Sequence, residues 1–180
     1  MTPDAASPSA EVKRLYLVRH ADAGDPADWI GPDSERPLSS KGVRQAARLA
    51  AALVAAGTRF GALRTSPARR CTETCAVIAA ALDATATIDE HLVDGPTAAH
   101  VAKLLGRRGL DSLLLVGHQP HLGALVAELT GITALAVEKG SMIRIDIAAP
   151  FTPGTGQLAA LLPPAVAPLT RAARARPAPR

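Results

Sequence analysis

Two histidines in this sequence each follow an apolar run that has the character of a buried strand. Residues 15–18 (LYLV) lead directly into Arg19 and His20, and residues 113–116 (LLLV) are followed one residue later by His118. In parallel α/β sheets, ligands bind beyond the carboxyl ends of the strands. A guanidinium group binds phosphate oxygens as a rigid fork, and the starts of helices add backbone donors. The pattern therefore predicts an anion-binding crevice at one edge of a sheet.

A third segment places another arginine at the same predicted edge. Residues 59–66 (RFGALRTS) have strand character, and Ser66 followed by Pro67 is typical of a helix N-cap and first helical position. Arg70 then falls on the first turn of a helix that we expect to end near Leu82. If the three strands are parallel, Arg70 joins the two histidines around one anion.

Strand and helix patterns alternate along the chain, which is typical of an α/β sheet covered by helices on both faces. Residues 38–57 predict a helix that is capped by Ser39 or Ser40 and stops at Gly57. Its predicted apolar face comprises Val43, Ala46, Ala47, Ala50, Leu53 and Val54. Two late strand patterns have no helix between them, which favours antiparallel pairing at an edge of the sheet. We therefore expect a three-layer α/β/α sandwich with a mostly parallel central sheet. The other predicted elements are strands in 11–18, 85–90, 111–120, 141–149 and 155–162, and helices in 96–109 and 121–131.

The composition suits one domain with a basic end. The chain has 180 residues, of which 48% are hydrophobic. We place the domain at residues 12–162, with a disordered lead-in at 1–11 and a disordered tail rich in Pro, Ala and Arg at 163–180. Removing the four arginines of the tail from the 20 basic residues leaves 16, which matches the 16 acidic residues. The tail is therefore either a solvated end or a contact for nucleic acid or acidic partners. Its arginines are Arg171, Arg174, Arg176 and Arg180.

The same totals disfavour several classes of protein. No apolar stretch approaches the ~20 residues of a membrane span, and the N-terminus lacks the pattern of a secretory signal. The two cysteines, Cys71 and Cys75, lie one helical turn apart, and we expect reduced, packed thiols rather than a disulfide framework. Aromatic residues make up only 2%, which disfavours nucleic-acid binding by base stacking. We therefore expect a cytoplasmic protein without a membrane or nucleic-acid partner.

Four blocks of the sequence resemble, in order, motifs of the histidine phosphatase superfamily. They are LVRHADAG, RPLSSKGVRQA, TSPARRCTET and LLLVGHQPHLG. The chain is similar in particular to the small phosphohistidine phosphatases of the SixA type, which lack a cap domain and carry Arg-Pro-Leu soon after Arg-His. The resemblance covers about residues 12–147. It implies a phosphoglycerate mutase-like fold and hydrolysis of a phosphorylated substrate without a metal ion or other cofactor.

The resemblance also implies a role for each residue at the predicted crevice. His20 would be the nucleophile, which attacks phosphorus as a neutral imidazole and becomes a phosphohistidine that water hydrolyses. Arg19 and Arg70 would bind the phosphoryl oxygens, and His118 would donate a hydrogen bond to them and stabilise charge during transfer. Ala21 departs from the family, in which glycine commonly follows Arg-His.

The sequence leaves the roles of four other residues open. Two are candidates for the same role, and the other two have two possible roles each. Relatives that cleave esters commonly use a glutamate as general acid, and the candidates here, Glu90 and Asp22, lie in no clear acid motif. Arg36 either lines the mouth of the pocket or holds its loop in place. Trp29 either anchors that loop or covers the pocket.

Three further histidines, His91, His100 and His121, carry no predicted catalytic role. His121 is expected on the first turn of a helix, either near the pocket or in solvent. The other two have no partner that the sequence identifies, so we expect them to be structural or solvated.

The lack of a clear acid favours a phosphoramidate substrate, because a phosphoramidate nitrogen can already carry a proton when its bond breaks. The resulting hypothesis is a phosphatase that acts through a phosphohistidine intermediate, on phosphohistidine in proteins or on a small phosphoramidate. Two alternatives stay open: a phosphatase for a small ester such as a sugar phosphate or nucleotide, and a non-catalytic module that binds a phosphorylated ligand. The expected partner is a phosphorylated protein or a small phosphorylated substrate, and the oligomeric state is left open.

Overall fold

The computed structural model of the protein describes residues 11–133 and 135–165 of the chain. The predicted domain of residues 12–162 lies within these ranges apart from residue 134. Most of the predicted lead-in (1–10) and tail (166–180) lies outside the described residues. Among the residues that are described, no helix combines the length and apolarity needed to cross a membrane.

A six-stranded sheet forms the centre of the fold. Its spatial order is β3-β2-β4-β1-β5-β6, with β1 to β4 parallel to one another and β5 and β6 antiparallel at one edge. The predicted mostly parallel sheet with a late antiparallel edge is thereby confirmed. The strands are β1 (Val12–Arg19), β2 (Ala62–Thr65), β3 (Ala86–Ile88), β4 (Ser112–Gly117), β5 (Met142–Ala148) and β6 (Gln157–Leu162).

Within residues 11–133 and 135–165, five α-helices complete the three layers, together with two short 3-10 helices at Pro26–Asp28 and Asp33–Glu35 in the loop after β1. The last helix ends as predicted at Gly131, whose φ of +77° lies in the left-handed region that glycine adopts readily. The α-helices are α1 (Ser40–Ala55), α2 (Arg69–Ala81), α3 (His91–Asp94), α4 (Ala98–Leu105) and α5 (His121–Thr130).

The central strand β1 contributes to two separate cores. Leu15 and Leu17 point to one face of the sheet and belong to a core that includes residues of α4 and α5. Tyr16 and Val18 point to the other face and pack with residues of α1 and α2. This alternation follows from the period of two in a β-strand. Because residues 15–18 of β1 are buried on both faces, this part of the strand is a continuous apolar run rather than an alternating one.

The register of the parallel strands brings their carboxyl ends to one edge. Arg19 of β1 pairs with Gly117 of β4, and Thr65 of β2 pairs with Val116 of β4. The chain segments that follow these three strands therefore leave the sheet side by side. This is the juxtaposition that the sequence predicts for the histidines and arginines.

The buried face of α1 matches half of the predicted one: Ala46, Ala50 and Leu53 are buried, whereas Ala47 is exposed. Val43 and Val54 are each 50% exposed, whereas the buried residues include Gly42 and Gln45. The helix is turned towards the loop after β1, where the backbone N–H of Asp22 donates to Oε1 of Gln45 at 2.8 Å. Gly42 packs directly against the carbonyl group of Asp22, leaving no room for a side chain. Contact with a polar loop thus decided the orientation that apolar periodicity alone predicted only in part.

The start of α2 also differs from the prediction. The helix begins at Arg69 with Ala68 at the N-cap position, so Ser66 is not its cap. The Ser66 hydroxyl instead lies 2.9 Å from Nε2 of His118, on the segment after β4. The same hydroxyl also accepts from the Ala68 N–H, at 3.5 Å, but this contact lies before the first helical residue.

Candidate active site

A crevice of about 490 Å³ opens at the edge of the sheet where β1, β2 and β4 end. Its lining includes all four residues predicted for the site: Arg19, His20, Arg70 and His118. The rings of His20 and His118 lie with their centroids 5.2 Å apart and are tilted by 58°. Residues separated by up to 99 positions in sequence therefore surround one small volume.

His20 is held as a neutral imidazole with a defined tautomer. Its Nδ1 lies 2.8 Å from the carbonyl oxygen of Ala21, and because a carbonyl oxygen only accepts, Nδ1 is the donor. The other nitrogen, Nε2, then carries a free lone pair in the neutral ring. Burial lowers the pKa of His20 to about 3, and the neighbouring His118 and Arg70 act in the same direction. The ring is therefore uncharged at neutral pH and can act as a nucleophile.

The backbone around His20 is fixed by hydrogen bonds to two other elements. The His20 N–H donates to the Gly117 carbonyl at 3.0 Å, and the Ala21 N–H donates to Oγ1 of Thr74 at 3.0 Å. Ala21 is fully buried and has no positive φ, so alanine is accommodated where the resemblance leads us to expect glycine.

His118 is oriented by Ser66 and Cys71. Its Nε2 lies 2.9 Å from the Ser66 hydroxyl and 3.4 Å from the Cys71 sulfur. Burial raises the pKa of the Cys71 thiol to about 12, so the thiol keeps its proton. The guanidinium group of Arg70 can only donate, so Nδ1 of His118, 3.4 Å from Nη2 of Arg70, accepts, and the ring proton lies on Nε2, where the Ser66 hydroxyl accepts it. Because that hydroxyl can also donate, the proton can shift to Nδ1, from which imidazole and guanidinium would present donors to one acceptor. Burial lowers the pKa of His118 to about 4, so this ring is neutral as well.

The two arginines each leave a buried N–H group without a partner. The Nε atoms of Arg19 and Arg70 are buried and have no acceptor among the described residues. The terminal nitrogens are partly used: Nη1 of Arg19 donates to the Val137 carbonyl at 2.8 Å, and Nη1 of Arg70 donates to the Asp33 carbonyl at 2.7 Å. Arg64, which does not line the crevice, also has a buried Nε without a partner, so the unpaired Nε is not specific to the site. Two guanidinium groups that line one crevice favour an anion that can accept from their forks.

Charge in the crevice is predominantly positive. Four cationic side chains line it, and Asp33 is the one carboxylic acid among its lining residues. The Asp33 carboxylate already lies against Arg36 at 2.9 Å and Arg70 at 3.0 Å. Hydrogen bonding from Arg36, with the charge of Arg70, lowers the pKa of Asp33, which therefore stays ionised. The cationic residues are Arg19, Arg36, Arg70 and Lys139.

Comparison with known proteins agrees with this geometry. The sequence model of the histidine phosphatase superfamily (branch 1) matches residues 15–95, which include the Arg-His pair and Arg70. An uncharacterized protein of Picosynechococcus is 36% identical over 113 residues, covering 61% of this chain and 68% of the relative. The chain belongs to the histidine phosphatase superfamily.

Solved structures of histidine phosphatases and related enzymes share the fold. The protein histidine phosphatase SixA, complexed with tungstate, superimposes with a TM-score of 0.72 at 24% identity, over 84% of this chain and 97% of SixA. Phosphoglycerate mutase from Bacillus anthracis gives 0.68 at 15% identity, over 87% and 95% of the two chains. A putative alpha-ribazole-5'-P phosphatase from Escherichia coli gives 0.63 at 22%, over 83% and 96%. The predicted phosphoglycerate mutase-like fold is thus confirmed.

In this histidine phosphatase, Arg36 both lines the crevice and holds its loop in place, so both roles that the sequence leaves open apply. It lines the crevice, and its side chain is nearly buried. Its Nη1 donates to the carbonyls of Ala23 and Gly24, at 2.8 and 3.2 Å, and its Nε donates to Asp33. Trp29 anchors the same loop, because its indole N–H donates to the Pro32 carbonyl at 3.1 Å and its ring does not line the crevice.

Neither predicted candidate for a general acid lines the crevice. Asp22 accepts a hydrogen bond from the Ser39 hydroxyl at 2.6 Å, which lowers its pKa, and Lys139 lies 3.7 Å away. Glu90 is exposed at the start of α3. His121 does line the crevice, which settles its position between the two that the sequence allows.

Two residues of the site were not predicted. Ser66 was interpreted as a helix cap, although its position directly after a strand end carries the same signal as that of Arg19. Asp33 has no role that the sequence predicts. Its position three residues before Arg36 could have indicated an ion pair.

Proposed function

We propose that this histidine phosphatase hydrolyses phosphoramidates, most directly phosphohistidine in proteins, through a phosphohistidine intermediate on His20. The observation that carries the proposal is the neutral His20 ring, which lines one crevice together with the guanidinium groups of Arg19 and Arg70. SixA provides a precedent for such a substrate on this fold. The finer assignment to phosphohistidine rests on the chemistry of the crevice.

In the first step, Nε2 of His20 attacks phosphorus while the bond from phosphorus to the leaving nitrogen breaks. Arg19 and Arg70 bind the phosphoryl oxygens, and Nδ1 of His118 donates to one of them as their charge is redistributed. In the second step, water attacks the phosphohistidine and inorganic phosphate leaves. The His20 lone pair is restored, and the proton that water loses remains on the phosphate.

The lack of a protonated carboxyl group in the crevice supports a nitrogen leaving group. Asp33 is the one acid among the lining residues, and it is held ionised between Arg36 and Arg70. It therefore has no proton to give to a departing alkoxide. A phosphoramidate nitrogen can carry its own proton, so its bond breaks without such a donor.

A second candidate function is hydrolysis of a small phosphate ester. It is favoured by the modest volume of the crevice, about 490 Å³, and by the fold shared with the putative alpha-ribazole-5'-P phosphatase. An ester with an acidic leaving group, such as a phenol, would need no protonated acid.

The test compares substrates that differ in the leaving group. We expect kcat/KM for a phosphohistidine peptide to exceed that for a sugar phosphate by at least ~100-fold, a contribution typical of general acid catalysis. Both rates should be unchanged by a chelator, since arginines supply the positive charge. Faster turnover of the sugar phosphate would establish the ester phosphatase instead, and binding without turnover of any substrate would establish a non-catalytic module.

The pH dependence of activity should show no inflection near the ordinary histidine pKa. The pKa of His20 is lowered from 6.5 to about 3, so the nucleophile stays neutral as pH falls through 6.5. After correction for ionisation of the substrate, we expect kcat/KM to be constant between about pH 5 and pH 8. An acidic limb centred near 6.5 would show that His20 titrates normally and would contradict its buried, neutral state.

The free energy of unfolding should fall as the pH drops below about 6.5. Unfolding must therefore be measured separately from catalysis, as a control for the pH profile. The pKa values of His20 and His118 are lowered in the folded protein, so the unfolded chain binds more protons below about pH 6.5. The free energy of unfolding therefore decreases as pH falls from there towards 4. Circular dichroism at each pH separates this unfolding from a loss of catalysis.

Asp33 should weaken the binding of anions, because its carboxylate occupies Arg70 at 3.0 Å. We expect Asp33→Asn to lower the inhibition constant for vanadate about threefold to tenfold, as removal of one partly screened charge permits. Asp28→Asn is the matched control, because Asp28 lies on the same loop outside the crevice lining. Weaker vanadate inhibition in Asp33→Asn would instead assign Asp33 the role of positioning Arg70.

A further inference from the structure

A second cluster of polar side chains lies outside the crevice lining, beyond the carboxyl end of β3. Asp89 directly follows that strand, His91 is the first residue of α3, and His100 lies in α4. The two oxygens of Asp89 contact different rings: Oδ1 is 3.1 Å from Nδ1 of His91, and Oδ2 is 2.8 Å from Nε2 of His100. One carboxylate thus faces two imidazoles that three separate elements bring together.

The cluster combines two fixed side chains with one that is accessible. The Asp89 and His100 side chains are only 7% and 12% exposed, whereas that of His91 is 68% exposed. The two rings stack with centroids 4.1 Å apart and planes 19° apart. Asp89 is further held by the His91 N–H, which donates to Oδ1 at 3.1 Å. The candidate ligand atoms therefore lie close together, and one side is open to solvent. Because the two stacked rings do not aim their lone pairs at one point, the exposed His91 ring must rotate about its side-chain bonds to share a cation with His100.

We propose that Asp89, His91 and His100 bind one divalent cation of the borderline class, with Zn²⁺ as the best fit. Each side chain offers one ligand atom, and these atoms lie within 4.8 Å of one another. Two imidazoles and a carboxylate are common zinc ligands, with bonds of about 2.0–2.2 Å, and three protein ligands leave a fourth position for water. The proton on each coordinating nitrogen moves to the other nitrogen of its ring, so both rings bind as neutral imidazoles.

The crevice histidines do not compete well for the same cation. Nδ1 of His20 is committed to the Ala21 carbonyl, and Nε2 of His118 lies against the Ser66 hydroxyl. The two rings also share the crevice with four cationic side chains, which repel a metal ion. The cluster at Asp89 is thus the site that favours a cation, whereas the crevice favours an anion.

A cation at this site would stabilise one wall of the crevice. Its ligands join the end of β3 to α3 and α4, and Val93 of α3 lines the crevice. Gly95, just after α3, packs so closely against His121 that a Cβ atom would lie 2.8 Å from the imidazole ring. The metal would therefore have a structural role at a distance from the reacting atoms, which is compatible with metal-independent hydrolysis.

The test is a titration of the full chain with ZnCl₂ after removal of metals by a chelator, followed by equilibrium dialysis and calorimetry. We expect one tight site in the natural protein. The binding should be weakened at least ~10-fold by His91→Ala and further by the double variant with His100→Asn, since even outer-shell partners contribute that much. His91 is mostly exposed, so the single variant tests the site without a risk to folding.

Two control variants separate this site from the other histidines. His118→Ala and His121→Ala should keep the tight site, and Zn²⁺ should raise the Tm of these variants and of the natural protein but not of the double variant. Equal zinc binding by the natural protein and the double variant would overturn the proposal. Loss of the tight site in His118→Ala alone would also overturn it, by placing the metal in the crevice.

Discussion

Replacing His20 with alanine is expected to abolish turnover of every substrate while the protein remains folded. The reason is that Nε2 of His20 is the atom proposed to form the bond to phosphorus, and no neighbouring group replaces it. Loss of a nucleophile from a covalent catalyst commonly costs about 10⁴-fold or more in kcat. The backbone N–H of residue 20, which donates to Gly117, does not depend on the side chain. His20→Asn keeps more of the buried volume and serves as a second variant, should the alanine substitution destabilise the fold.

The role of His20 can also be tested without steady-state kinetics, by trapping the phosphorylated intermediate. After brief exposure to ³²P-labelled substrate, the natural protein should retain label that is lost in acid and stable in base, as phosphohistidine is. Neither His20 variant should retain it, while thermal unfolding confirms that each is folded. Undiminished activity of His20→Ala, or label that survives acid, would show that another residue is the nucleophile.

Replacing Arg70 with alanine is expected to reduce kcat/KM by about 10²–10³-fold, the usual cost of removing one preorganised donor to a transferring group. Arg70 reaches the crevice from α2 with its side chain 12% exposed and its Nε unpaired. It also lies beside Nδ1 of His118, so its loss removes one of two converging donors. Arg70→Lys should recover only part of the activity, because an ammonium group lacks the planar fork.

The neighbouring residue Arg69 provides a matched control for the Arg70 variants. Arg69 is on the same turn of α2, but its side chain is 55% exposed and pairs with Glu73 at 2.7 Å. We expect Arg69→Ala to change kcat/KM by less than about twofold, as is usual for an exposed ion pair. Similar losses in both variants would assign the effect to the helix rather than to the guanidinium of Arg70. Full activity in Arg70→Ala would contradict its role in binding the phosphoryl group.

The placement of the site could be predicted because it depends on strand ends. Arg19, His20 and His118 follow apolar runs, and parallel strands bring their carboxyl ends to one edge of a sheet whatever the side chains do. Periodicity predicted only part of the buried face of α1, Ala46, Ala50 and Leu53, because Gly42 and Gln45 are not apolar and are buried for contacts with the Asp22 backbone.

Residues that have two possible partners could not be assigned from the sequence. The Ser66 hydroxyl can cap a helix or bind a histidine, and only the fold places His118 within 2.9 Å of it. Likewise, His91 and His100 have a shared partner only because α3 and α4 turn back towards Asp89 at the end of β3. Such choices depend on tertiary contacts, which local patterns do not contain.

The division of β1 between two cores limits how this protein can change its length. A single inserted or deleted residue within β1 would send Leu15 and Leu17 into the space shaped for Tyr16 and Val18, and would rotate Arg19 or His20 away from its partners. Insertions and deletions can therefore be tolerated in the loops around this strand. Within the strand, they would disturb both the packing of the two cores and the position of the site residues. Natural diversity in β1 should consist of replacements at constant length.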